Sequence, residues 1–123
     1  MEITLQIILS LVALICFTVG TNQLLKGAAG FLPETIPPQP ALDNPFRFLS
    51  AMFLSFSFLL IWVVIHIHEV HDLIYFIGIV VSFAGLGRLY SRIKIGSAGT
   101  YLYYVMWFEI VLGIGIMVLQ YFR

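Results

Sequence analysis

The chain has 123 residues, of which 61% are hydrophobic and 10% charged, with six Lys and Arg against six Asp and Glu; soluble domains are roughly 45–50% apolar and about 25% charged. The length admits one domain spanning residues 1–123, the composition excludes an ordinary soluble protein, and zero net charge leaves no basic field to attract nucleic acid. The single cysteine, Cys16, makes neither an internal disulfide nor a cysteine-based metal site.

Residues 3–25 form a nearly charge-free run about as long as the ~20 residues that cross a bilayer core. A cleaved signal peptide would want a basic leading segment and a shorter apolar core. Here Glu2 is the only charge ahead of the run, and Gly27-Ala28-Ala29 is a poor cleavage site, so the run reads as a retained first helix. Gln6, Ser10, Ala13, Phe17 and Gly20 recur at helical spacing, a mostly small or polar stripe expected to face partner helices.

Residues 26–42 break the pattern with Gly27, Gly30, Pro33, Pro37, Pro38 and Pro40, where proline fixes extended backbone and removes donors. Asp43 or Asn44 is then placed to cap a second helix over residues 45–65, with Pro45 at its first position. Arg47, Ala51 and Ser55 share one face of that helix, expected to point inward. The polar connection from His66 to Asp72 is short enough to make the second and third helices antiparallel neighbours.

The third span covers residues 73–90, with Gly78, Ser82 and Gly85 forming a face that lets helix backbones approach closely. Arg88 and Arg92 continue that face. Residues 91–99 read as a connection, and the fourth span covers residues 100–121, with Tyr101, Tyr103, Tyr104 and Trp107 at one end and Tyr121 and Phe122 at the other as interfacial aromatic anchors. The expected fold is an all-α, integral membrane, antiparallel four-helix bundle in a multi-pass protein. Counting all cations, Lys26, Arg47, Arg88, Arg92 and Lys94 put the first and third loops in the cytoplasm. Setting aside Arg47 and Arg88 as functional removes most of that bias, so the two counts leave the orientation open.

The residues most able to carry chemistry are charges placed within spans. Glu109 lies nine residues past Thr100, roughly 13 Å down its helix at ~1.5 Å per residue. Arg47 sits about one turn inside the second helix and Arg88 about one turn inside the third. Chain direction assigns all three to the same half of the bundle. Such residues cost ~2.5–3.5 kcal/mol each at the bilayer centre on insertion scales, and they tend to face the interior and mark sites. The functional reading is a pocket in which Arg47 and Arg88 offer forked donors to a carboxylate, a phosphate or a lipid headgroup. Glu109 would hold one arginine or accept a proton, and Asn22 and Asp43 would join the rim. The competing reading is a Glu109 pair with Arg88 or Arg47 that locks helices together while the other arginine snorkels to phosphates.

His66, His68, Glu69, His71 and Asp72 form a second polar cluster at the other end of the bundle. His68 lies one helical turn from His71 or Asp72, yet no closed ligand pattern such as H-E-x-x-H is present, and an exposed interfacial turn explains the polarity. The glycines near Arg88 and at Gly113 and Gly115 lie in apolar helices rather than after strands, which fits packing and not a nucleotide loop. No nucleophile and base pair appears, so an enzyme ranks behind a binding module and behind an accessory subunit of a larger complex or homo-oligomer. The sequence identifies no cofactor.

Leu42-Asp43-Asn44-Pro45-Phe46-Arg47-Phe48, then Phe83-Ala84-Gly85-Leu86-Gly87-Arg88, then Glu109, together resemble a family of small bacterial four-helix membrane proteins of unknown function in the neighbourhood of the DoxX-like group. The resemblance covers nearly the whole chain and implies a four-helix bundle in a bacterial inner membrane, with no established activity. The DoxX-like neighbours are linked in places to redox or quinone-associated complexes, an analogy of fold rather than of site. The histidine-rich turn is not part of this pattern.

Overall fold

Backbone amides and carbonyls cannot stay unpaired in lipid, so four apolar runs of this length share one solution, the α-helix. The computed structural model describes residues 2–123. Its helices are α1 (Glu2–Lys26), α2 (Pro40–Ile65), α3 (Asp72–Lys94) and α4 (Thr100–Phe122), with a 3₁₀ turn at Ala28–Phe31. Helices of 25, 26, 23 and 23 residues run roughly 34–39 Å at ~1.5 Å per residue, more than the ~30 Å hydrocarbon core. All four are long and apolar enough to cross a membrane. The chain is thus an all-α four-helix bundle without strands among the described residues, and a multi-pass membrane protein.

Two helix boundaries depart from the sequence expectation. The second helix begins at Pro40 rather than Pro45, with Gln39 as its extended N-cap (φ −109°, ψ 107°). Proline forces the residue before it out of helical backbone, and Pro40 fits the first helical position because no partner exists there for an N–H. Asp43 and Asn44 therefore lie inside α2 instead of capping it, and Pro45 is tolerated within the helix. Its missing N–H deprives only the Ala41 carbonyl of a helical bond. The third helix continues past Tyr90 to Lys94, so Arg92 and Lys94 stand on its last turn rather than in the connection. Cations are favoured at that end by the helix dipole. Gly96 (φ 121°) and Gly99 (φ 110°) then supply the left-handed backbone that turns the chain into α4.

The chain divides into two compact units. One, Gln6–His66, holds most of α1, the 3₁₀ turn and α2. α1 and α2 run antiparallel: Gln6 Nε2 donates to the Val64 carbonyl at 3.1 Å near one end. Phe17 and Phe58 meet edge to face with centroids 6.2 Å apart. A methyl on Gly20 would stand 2.9 Å from the backbone nitrogen of Leu54, so the backbones approach at contact distance. Of the α1 stripe expected to be buried, Ala13 and Gly20 are buried while Ser10 and Phe17 are exposed. Leu9, Val12, Ala13, Cys16 and Gly20 form the buried face instead. On α2 the buried positions are Ser50, Ser57, Leu60 and Val63, whereas Ala51 and Ser55 are exposed. Ser55 tolerates that position because its hydroxyl donates to the Met52 carbonyl at 2.8 Å, leaving little polarity to hide.

The other unit comprises the start of α1 up to Leu5 together with Ile67–Arg123, and its centre is the α3–α4 contact. Gly78, Ser82 and Gly85 are buried as their spacing predicts, opposite Met106, Gly113 and Ile116. A methyl on Gly85 would lie 2.9 Å from both the Ile110 nitrogen and the Met106 carbonyl oxygen. One on Gly113 would lie 2.6 Å from the Gly78 carbonyl oxygen and the Ser82 nitrogen. Since the atoms in the way are backbone, only glycine permits this crossing.

Candidate functional site

The two arginines singled out by the sequence each have a carboxylate of their own. In the α1–α2 unit, Arg47 Nε donates to Asp43 Oδ2 at 2.8 Å, one helical turn back on α2. Its Nη1 donates to the Leu24 carbonyl at 3.0 Å, one of the last α1 carbonyls, which have no helical partner. The other oxygen of Asp43 accepts from the Ala28 amide at 3.1 Å. Between these groups sits Gly27, at φ 73°, where a methyl would fall 2.6 Å from Arg47 Nη2. Arg47 and Asp43 thus clamp the end of α1 and the 3₁₀ turn to the first turns of α2. Asn22 is exposed on α1 and its side chain forms no hydrogen bond among the described residues.

In the second unit, Arg88 Nε lies 3.2 Å from both oxygens of Glu109. The Arg88 side chain is 41% exposed and that of Glu109 16%, so the carboxylate is the more deeply placed partner. The pairing engages Nε alone. The terminal nitrogens of Arg88 have no partner among the described residues, although a guanidinium carries most of its donors there. Arg88 borders a cleft of about 110 Å³ whose walls also include Ser91, Arg92, Leu102, Tyr103 and Met106.

Arg92, one turn beyond Arg88, lies over the Tyr103 ring at 4.6 Å from its centroid, a cation–π arrangement. Its Nη1 donates to Ser97 Oγ at 3.1 Å, and the same oxygen accepts from the Gly99 amide at 3.2 Å. Lys94 reaches over Tyr90 at 5.8 Å. Arg88, Arg92 and Glu109 therefore gather between the end of α3 and the start of α4, while Lys94 stays with Tyr90 on its own helix. The sequence signal for Arg92 was its four-residue step from Arg88. Ser97 and Tyr103 carried none, because their positions depend on how Gly96 and Gly99 turn the connection.

A third constellation lies at the other end of α3. Arg123 donates through Nη1 to the Ile67 carbonyl at 2.8 Å and through Nη2 to the Val70 carbonyl at 2.5 Å. Nη2 also lies 2.8 Å from His71 Nδ1. Glu2 Oε1 stands 2.8 Å from His68 Nδ1 and 3.8 Å from Arg123 Nη1. With 9% of its side chain exposed, Arg123 ties down the α2–α3 turn by its carbonyls. His66 instead stacks on Trp62 at 4.4 Å. Among the described residues no three His, Cys, Asp or Glu side chains gather as ligands for a metal ion.

No curated protein and no solved structure matches the chain. The family described as "Domain of unknown function (DUF4345)" matches residues 4–120. That match reaches all four helices and includes both arginine–carboxylate pairs, and on it the chain belongs to this family.

Proposed function

We propose that this small polytopic membrane protein is a binding module that takes an anionic group, carboxylate or phosphate, in the cleft between the end of α3 and the start of α4. The observation that carries the reading is the incomplete pairing of Arg88: Glu109 engages Nε, which fixes the guanidinium plane and leaves its outer donors for an anion. Arg92 supplies the second cation, and Glu109 acts as a positioning group. In this reading Arg47 and Asp43 fasten α1 to α2, and Asn22 contributes polarity at the surface. The likeness of the Asp43–Phe48, Gly85–Arg88 and Glu109 motifs to a bacterial family near the DoxX-like group supports an inner, plasma-membrane location.

Native mass spectrometry of the gently extracted protein tests this. The wild type should retain acidic small molecules or lipids that Arg92→Gln loses while remaining folded. A variant that retains the same adducts would refute the site.

A second reading, an accessory subunit of a larger complex or a homo-oligomer, draws on Gly87 and Gly115. Neither has any atom within 4 Å of where a side chain would begin, so each leaves a notch into which another helix could pack. The same spectra distinguish it by a protein partner or a second copy in place of a small anion.

A further inference from the structure

We infer that the anion taken by the α3–α4 cleft is the phosphodiester of an acidic glycerophospholipid, entering sideways from the bilayer. This rests on the anion-binding reading above and specifies its ligand. Three observations point to a lipid.

The first is depth. Arg88 stands six residues before the last residue of α3, roughly 9 Å at ~1.5 Å per residue. In a helix somewhat longer than the hydrocarbon core, that places its guanidinium near the headgroup boundary, within reach of the phosphates to which long cationic side chains extend.

The second is the make-up of the walls. Arg88, Ser91 and Arg92 give the cleft a polar side, while Leu102 and Met106 give it an apolar one. A free anion arriving from water gains nothing from Leu102 and Met106. A phosphodiester carries its glycerol and first methylenes with it, and these can lie against them. At about 110 Å³ the cleft accepts the phosphate and leaves the rest of the lipid outside, where Tyr90, Ile93 and Tyr101 are exposed on the flanking helices.

The third is charge. Arg88 and Arg92 line the cleft and Glu109 is the one carboxylate paired there, so the site holds a positive excess that a zwitterionic lipid, with its own ammonium, matches less well than a headgroup of net negative charge.

The test uses the full chain in a mild non-ionic detergent, with native mass spectrometry reading the bound fraction of added phosphatidylglycerol, phosphatidylcholine, glycerol phosphate and inorganic phosphate. Phosphatidylglycerol should be retained about tenfold more than phosphatidylcholine, equivalent to ~1.4 kcal/mol, and neither soluble phosphate should displace it. Arg92→Gln should lower phosphatidylglycerol retention. So should the double variant Arg88→Gln/Glu109→Gln, which leaves no unpaired carboxylate to compromise folding. Displacement by a soluble phosphate would overturn the lipid assignment and leave the anion site standing. Equal retention of the two lipids would also overturn it. If no added anion binds in an arginine-dependent way, both readings fall together. The lipid and phosphate comparisons are made on the unaltered protein, so they decide the matter even where a variant fails to fold.

Discussion

The same kind of pair, an arginine with a carboxylate, does different work at the two places where this chain uses it. Arg47 and Asp43 spend their donors and acceptors on backbone: the Leu24 carbonyl and the Ala28 amide. Removing Arg47 therefore leaves a carbonyl and a carboxylate short of partners, and Arg47→Ala should destabilise by about 1–3 kcal/mol, read as a lower melting temperature in detergent. Gly27→Ala should cost at least as much, since its backbone is left-handed and its side chain would meet Arg47. Arg88 and Glu109 make no such backbone contacts. There the single change Arg88→Met should destabilise more than the double change Arg88→Met/Glu109→Leu, because the single change strands a carboxylate that is 16% exposed and the double one does not. Melting curves of the two variants and the wild type check the order; a double variant less stable than the single one would contradict it.

Helix count and type were legible because apolar runs of bilayer length admit no other backbone solution. The α3 face was legible too, since Gly78, Ser82 and Gly85 recur at helical spacing and the backbones meet there. The faces of α1 and α2 were harder. In lipid a polar stripe has no obligation to turn inward, so Ala51 and Ser55 could face out once Ser55 bonded its own helix, and on α1 Leu9, Val12 and Cys16 took buried places beside Ala13 and Gly20. The start of α2 was misplaced because Pro40 and Pro45 both suit a first helical position, and local sequence does not rank them. The Arg123 contacts with the α2–α3 turn span more than fifty residues, and nothing in the sequence pattern links the two places.

The α3–α4 crossing gives a sharp contrast between neighbouring glycines. Gly113→Ala must push against the Gly78 carbonyl and the Ser82 backbone and should cost about 1–3 kcal/mol. Gly115→Ala meets nothing within 4 Å and should be neutral or stabilise by up to about 1 kcal/mol through helix propensity. Ser82 Oγ is buried without a hydrogen-bond partner among the described residues, so Ser82→Ala removes an unsatisfied group and should not destabilise. Thermal melts of the three variants side by side would show whether the crossing is as tight as its geometry.

At the scale of the whole molecule, six cations balance six carboxylates, yet Arg88 and Arg92 line one cleft with Glu109 as the one carboxylate paired there. A protein with no net charge has no reason to prefer an acidic membrane over a neutral one through its long-range field, so any preference must come from a local site. A ligand that binds only the folded state adds RT ln(1 + [L]/Kd) to stability, ~2.7 kcal/mol at about 100 times Kd. The melting temperature should accordingly rise by several degrees when phosphatidylcholine nanodiscs are replaced by ones rich in phosphatidylglycerol. Arg92→Gln should abolish most of that rise, measured for each protein as the difference between its own melts in the two lipids. Ionic strength separates a seated headgroup from loose surface attraction: at ~1 M salt the screening length falls to about 3 Å. A phosphate bonded directly to Arg88 and Arg92 keeps part of its effect under those conditions, whereas a diffuse attraction of lipids to Lys94 and its neighbours loses nearly all of it.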